Sequence, residues 1–444
     1  MAVTPAESAI YGALLSDEAV AALLSDEAEI RAMLDAEVAL AAAQAECGLV
    51  PPEAAARIVA ALAGMRIAPG SLAAGTASAG VPVGPLVAAA RESVGGEAAG
   101  WLHFGATSQD IVDTALVLRL RDVLDILDAR LAALIELLGA RADEHRATVM
   151  TARTRWQQAT PTTFGLRIAG WMTPLAAHRI RLAELRPRLL CVQLGGASGN
   201  LAAMGGSGIA VMEAMAAKLG LAAPTLPWHT ARETLAELAS WLSLVTGSLG
   251  KMGRDMTLLA QNEVAEARGG GGGGSSTMPH KANPVAAEML VALARQNAGL
   301  VAAMHHALVA ECERSGEAWT VEWLTLPQMA VATAASLRHA GAIAGTLTAD
   351  PVAMRANIDA ADGMLLAEAA VFALARHMPR ETAQALVATA CREAATEGLH
   401  LRDELRRRSE APVDWDAVFE PGNYLGAADA LVDRALAAAR ATLP

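Results

Sequence analysis

A dense set of reactive groups lies between Ser275 and Asn283. Ser275, Ser276, His280, Lys281 and Asn283 stand within nine residues, directly after the run Gly269 to Gly274. A serine hydroxyl is too weak a base at its ordinary pKa. It becomes useful where nearby cations and backbone N–H groups hold its alkoxide in a pocket that excludes water. Lys281 supplies such a cation, and equally a counter-charge for a developing enolate or aci-carboxylate. These groups point to proton transfer at a carbon beside a carboxylate. The glycines fit a plain linker poorly in such company and are expected to hinge a closing lid. They are no phosphate cradle, because no GK[ST] comes after them at the required spacing and no strand precedes them.

Two further stretches carry candidates. Thr107-Ser108 stands just ahead of Asp110, where a long apolar-periodic segment begins, and by itself this is helix-capping chemistry. His229, in Pro227-Trp228-His229-Thr230, either caps the next helix or serves as an acid or a substrate ligand.

Positioning these groups calls for a rigid frame. Apolar residues make up 53% of the 444 positions and aromatics only 3%. The apolar content is mostly Ala, Leu and Val, and Ala and Leu are the strongest helix formers. The composition favours a large helical bundle. Ser25-Asp26-Glu27 caps a helix carrying Ile30, Met33, Leu34, Val38 and Leu40; Gly48 closes it, and Pro51-Pro52 opens the next. Longer runs come after it, from Asp110 to about Val149 (with Ile111, Ala115, Leu118, Val123, Leu127 and Leu131 at helical spacing), from Pro161 to about Leu190, from about Ala231 to Ala267, and from Pro284 to about Ala310. Helices so long and so apolar need neighbours on several faces, so an oligomer is expected. Asp350-Pro351 marks a break. The expected domains are 1–109, a central bundle over 110–350, and a C-terminal helical unit over 351–444.

A formal charge of −12 without a basic run argues against a nucleic-acid partner. No apolar stretch reaches spanning length, and the N-terminus has no signal-peptide pattern, so neither membrane nor export is expected. Cys47, Cys191, Cys312 and Cys391 lie far apart and read as reduced, mostly buried thiols of a cytoplasmic protein. No metal motif and no dinucleotide fingerprint is present, so no cofactor is expected.

The stretch SSTMPHKANP, with Glu288 beyond it, resembles the signature loop GSSxMPxKxNPxxxE of the fumarase/aspartase superfamily. That resemblance implies an all-α fold, a long helical bundle with smaller N- and C-terminal helical domains. It makes Ser275 the base that takes a Cβ proton, with Lys281 and Asn283 binding the carboxylate beside the carbanion. HFGATSQDIVDT, His103 to Thr114, resembles a second superfamily segment, in which Thr107 and Ser108 bind a substrate carboxylate. RTRWQQATPTTFG, Arg153 to Gly165, resembles a third, in which Gln157 contacts substrate. Glu313-Arg314-Ser315 resembles the place of a substrate-binding arginine, Arg314. Within the superfamily, LHFGATSQDIVDTALVL, QQATPTTFGLRIAGWM, LPWHTARE, GKMGRDMTLLAQNEVAEA and SSTMPHKANPV resemble the bacterial 3-carboxy-cis,cis-muconate cycloisomerase family. The implied activity is addition of a carboxylate across a carbon–carbon double bond of a small di- or tricarboxylate, in protocatechuate breakdown. A homotetramer with shared sites is implied, and a β-eliminating lyase that releases fumarate is the alternative. Two positions depart from the pattern. Arg155 stands where lyases carry the histidine of RTHxQ, and Ala282 where many relatives carry arginine.

Overall fold

The computed structural model describes residues 3–274, 277–278 and 281–443. It is built from helices, with only short strands beside them. Eight elements carry or position the candidate residues: α1 (Asp26–Glu46), α2 (Ser108–Glu144), β1 (Val149–Thr154), β2 (Gln157–Thr163), α3 (Phe164–Leu189), α4 (Glu233–Leu259), α5 (Val285–His306) and α6 (Gly316–Gly345). None of the described helices is long and apolar enough to cross a membrane.

Contacts divide the chain into two compact units. The first comprises Met1–Arg130, His178–Gly247 and Leu293–Arg338; the second comprises Leu131–Ala177, Ser248–Ala292 and His339–Pro444. The division falls inside each of α2 to α6, so neither unit is a continuous stretch of chain.

In the first unit α1 starts as its sequence requires. Ser25 Oγ accepts the Ala28 N–H at 3.3 Å, and Asp26, Glu27 and Glu29 crowd the first turn, where the helix dipole favours negative charge. Met33, Leu34 and Leu40 are buried together with Ile58, Leu86, Ile111, Leu194 and Met215 in one apolar core. Residues 111–120 of α2 are buried on every face, as the apolar reading of that segment demands. Arg130 closes a bidentate pair with Asp17, at 2.7 and 3.1 Å.

The second unit departs from the expected pattern at one place that matters. The first long helix does not reach Val149; it ends at Glu144, and β1 and β2 form an antiparallel hairpin. Its last pair is Thr154 with Gln157, which leaves Arg155 and Trp156 as a two-residue turn with φ of 50° and 73°. Such turns are normally announced by Asn-Gly or Asp-Gly, and neither is present to signal this one. The third long run also stops early, at Leu259, and α6 is a single helix despite Pro327 in its interior, a residue that normally ends one. Beyond it, Leu366, Leu374, Val387, Leu401, Trp415 and Phe419 form a separate small core. Cys47, Cys191 and Cys391 are half-buried, and Cys312 is exposed rather than buried.

Several positions of the glycine run pack closely against neighbours, while a Cβ at Gly271 or Gly274 would meet nothing within 4 Å. Gly273–Gly274 pairs antiparallel with Ala282–Asn283, so the signature loop rises from a short two-stranded base. Gly270 has φ of 82°, and a Cβ there would lie 2.8 Å from Ile343 Cγ1. A Cβ at Gly273 would lie 2.7 Å from Val285 Cγ2. Glycine is required at these two positions by close packing and, at Gly270, by a left-handed backbone as well.

Candidate active site

In the first unit the candidates gather around one buried carboxylate. Asp110, with no exposed surface, sits in the first turn of α2 and accepts four hydrogen bonds. Oδ2 takes the backbone N–H of Thr107 at 3.0 Å and of Gly196 at 2.9 Å. Oδ1 takes the Gly195 N–H at 2.9 Å and His229 Nε2 at 2.7 Å. The bond back to Thr107 is half of a capping box, so the capping reading of Thr107–Asp110 is realised. The other three partners come from segments far along the chain. Thr114 fastens the same strip, exchanging 3.0 Å hydrogen bonds with the backbone of Gln193.

His229 is only 5% exposed. Facing a carboxylate oxygen, Nε2 donates, and the residue's own carbonyl accepts from Gln109 Nε2 at 3.0 Å. A Cβ at Gly195 would lie 2.8 Å from His229 Cε1, so glycine there lets the ring reach the carboxylate. The ring therefore braces the Gly195–Gly196 strip against α2.

Arg314 completes the cradle. Its guanidinium donates to Thr107 Oγ1 at 3.0 Å and to the carbonyls of Ala197 and Gly196 at 3.1 and 3.3 Å. An exposed cation, the Thr107 hydroxyl and the N-terminus of a 37-residue helix, which Ser108 opens, thus meet. That combination of donors and dipole suits a carboxylate.

Behind this cradle lies a buried ionic cluster that the sequence does not signal. Arg232 donates to both oxygens of Asp113, at 2.6 and 3.1 Å, and to Glu322 at 2.9 and 2.5 Å; Trp319 Nε1 adds a 3.0 Å bond to Asp113. Burial works against the Arg232 charge, but the two carboxylates outweigh it and hold the guanidinium ionised. Burial raises the pKa of Glu322, against the pull of Arg232.

His103 is a second residue that sequence reasoning misses. It lies inside the HFGATSQD stretch, adopts φ of 64°, and places Nδ1 2.6 Å from Oε1 of the buried Glu37. Burial alone would lower its pKa, yet the hydrogen bond and charge of Glu37, with the charge of Asp110, raise it. Backbone strain of this kind persists only where surrounding structure imposes it. The available signal is a histidine four residues ahead of Thr107.

The second unit holds the remaining candidates. Gln157 opens β2, with its side chain exposed. Lys281 is exposed, its backbone N–H bonded to Met278 O at 2.9 Å, and Asn283 sits in the strand that pairs with Gly273. Asn283 also lines a cavity of about 300 Å³ with Arg268, Asn262 and Thr348. Ser275 lies outside the described residues. The hairpin is anchored by Arg153, whose guanidinium meets both oxygens of the buried Glu266 at 2.7 Å, while Asn357 bonds the same carboxylate at 2.9 Å. The single chain therefore brings Thr107, Ser108, His229 and Arg314 together in one unit, and carries Gln157, Lys281 and Asn283 in the other.

Known proteins resemble the chain along the same lines. A lyase family model matches residues 5–299, and a model described as the adenylosuccinate lyase C-terminus matches residues 363–435. The chain is 45% identical over 380 residues to a 3-carboxy-cis,cis-muconate cycloisomerase of Pseudomonas aeruginosa, covering 83% of each. A crystal structure of 3-carboxy-cis,cis-muconate lactonizing enzyme from Pseudomonas putida superposes with a TM-score of 0.92 at 41% identity, covering 98% of this chain and 100% of that one. A fumarate lyase from Mesorhizobium sp. BNC1 superposes with a TM-score of 0.91 at 36% identity, covering 96% and 99%.

Proposed function

The chain belongs to the lyase family, and from that premise we propose that it converts 3-carboxy-cis,cis-muconate to 4-carboxymuconolactone. The observation that carries this reading is the likeness, along nearly the whole chain, to a lactonizing enzyme of that substrate. In the reaction a carboxylate oxygen bonds to one alkene carbon, the C=C π pair moves toward the neighbouring carbon, and that carbon takes a proton. Three carboxylates enter and two leave beside the lactone, so one proton is taken up per turnover.

The roles come from the chemistry of each residue. Lys281 and Asn283 hold the carboxylate next to the carbon that becomes carbanionic, where a cation and an amide donor stabilise the aci-carboxylate. Ser275 carries the proton to and from that carbon. Thr107, Ser108 and Arg314 take a second carboxylate at the start of α2. His229 holds the Asp110 platform under them, and Gln157 contacts the substrate from the hairpin. We place the enzyme in the cytoplasm as a homotetramer, whose assembly brings segments from different subunits into one site. Neither metal nor cofactor is needed, because the charges that develop are met by side chains.

A second reading, β-elimination of fumarate from a substituted succinate, is favoured by the likeness to the fumarate lyase. One assay separates the two. Purified protein given 3-carboxymuconate is expected to bleach the diene absorbance with one proton taken up per molecule. Ser275→Ala is expected to slow this by about 10²–10⁴-fold, the usual contribution of a positioned proton-transfer group. Fumarate released from a succinyl substrate, with no loss of 3-carboxymuconate by folded protein, would decide for the lyase.

A further inference from the structure

We infer that Arg155 and Arg167 form a carboxylate-binding subsite in the second unit, which selects a ligand with a third carboxylate; in naming the substrate this rests on the reading above. Their cavity holds about 420 Å³ and is lined by Arg153, Arg155, Arg167, Lys251, Asp255 and Gln261, among others.

Its charges do not balance. Arg153 is matched by Glu266, and Lys251 by Asp255. Asp255 also accepts from Trp171 Nε1 at 2.7 Å, on the same oxygen that meets Lys251. Among the described residues, Arg155 and Arg167 have no paired acid. Arg155 makes no side-chain hydrogen bond to them, and Arg167 makes one long contact, 3.5 Å to Thr151 O, although it is half-buried. Burial lowers the Arg167 pKa, and the charges of Asp255 and Glu266 only partly oppose it while Arg153 adds to it. Arg155 is exposed; for half-buried Arg167, a guanidinium partly out of water with unused donors is costly unless an anion meets it.

The backbone supports the same conclusion. Arg155 and Trp156 both take positive φ, in a turn where glycine or asparagine would be unstrained. The strain sets Arg155 on the cavity wall two positions before Gln157. Trp156, 74% exposed, is flanked by the Arg254 guanidinium at 5.6 Å from its ring centroid, which adds a further cation beside the turn. A planar guanidinium fork matches a carboxylate edge, which a histidine or an apolar side chain at position 155 could not do. In the site shared between subunits proposed above, where Lys281 and Asn283 hold one carboxylate and Thr107, Ser108 and Arg314 another, this pair supplies a place for the third.

The test compares two probes that differ by one carboxylate. Tricarballylate and glutarate share a three-carbon chain, and each is titrated calorimetrically into the intact protein. Arg155→Met is expected to weaken tricarballylate by about 10–100-fold, the range for loss of hydrogen bonds to a charged group, and to leave glutarate within about twofold. Arg155→Lys, which keeps the charge without the fork, is expected to fall between. Equal weakening of both probes, no weakening of either, or no binding of tricarballylate by the wild type would overturn the subsite. None of these readouts depends on turnover, so failure to consume 3-carboxymuconate would count against the reaction and not against the subsite.

Discussion

Replacing Asp110 by asparagine tests the platform beneath the carboxylate cradle. The native carboxylate receives two donors on each oxygen: Thr107 and Gly196 N–H on one, Gly195 N–H and His229 Nε2 on the other. Asparagine offers a single acceptor oxygen and an NH2. Its best arrangement keeps the oxygen toward Thr107 and Gly196, and turns the NH2 toward His229. That ring can then move its proton to Nδ1 and accept. Gly195 N–H is still left facing a donor in a fully buried place. One orphaned buried donor costs about 1–3 kcal/mol, and loss of charge assistance weakens the remaining bonds, for about 2–5 kcal/mol in all. Equilibrium urea unfolding at fixed protomer concentration reads this as a lowered midpoint at unchanged slope. Asp122→Asn, at a carboxylate that is 51% exposed, is the control and should not move it. A shift below about 0.5 kcal/mol for Asp110→Asn would refute the four-donor account.

Other changes probe different parts of the fold. Burial, helped by the Arg181 charge and opposed by a hydrogen bond to Leu244 O, lowers the His178 pKa from 6.5 to about 4. The unfolded chain therefore binds the proton first, and stability present above pH 6.5 is lost as the pH falls toward 4, by at most about 3 kcal/mol. His178→Phe should flatten that acid limb in a series of melts across this window. Arg232→Met strands Asp113 and Glu322 without their shared counter-charge and should cost about 3–5 kcal/mol; a second change, Glu322→Leu, should recover part of it in the same unfolding assay. Gly165→Ala drives a Cβ against Ala142 O and to 2.7 Å from the Arg146 Cα, both backbone, so a loss of about 1–3 kcal/mol is expected from the melting temperature.

Much of the frame was legible because its signals are local. Ser25 caps α1, Gly48 follows its end with φ of 72°, and the Pro52 start of the next helix fell where a fixed φ places it. The apolar run after Asp110 named α2 and its buried faces. The hairpin was not legible, because Arg155 and Trp156 occupy backbone conformations that their side chains do not advertise. The glycine run was legible as composition, but not as a tightly packed strand base. Its constraint comes from Ile343 and Val285, neither of which is marked by the glycines themselves.

By itself the sequence determined which chemistry is available. A serine, a lysine and an asparagine in SSTMPHKANP, and Thr-Ser ahead of Asp110, are local facts about residue type and spacing. Tertiary structure decided what those residues are attached to. Asp110 finds Gly195, Gly196 and His229 from parts of the chain 85 to 119 positions away. Arg232 finds Asp113 and Glu322 at similar separations in opposite directions. A buried charge is tolerated only when several donors or a counter-charge converge on it. Such convergence depends on how helices pack, which spacing along one helix does not encode.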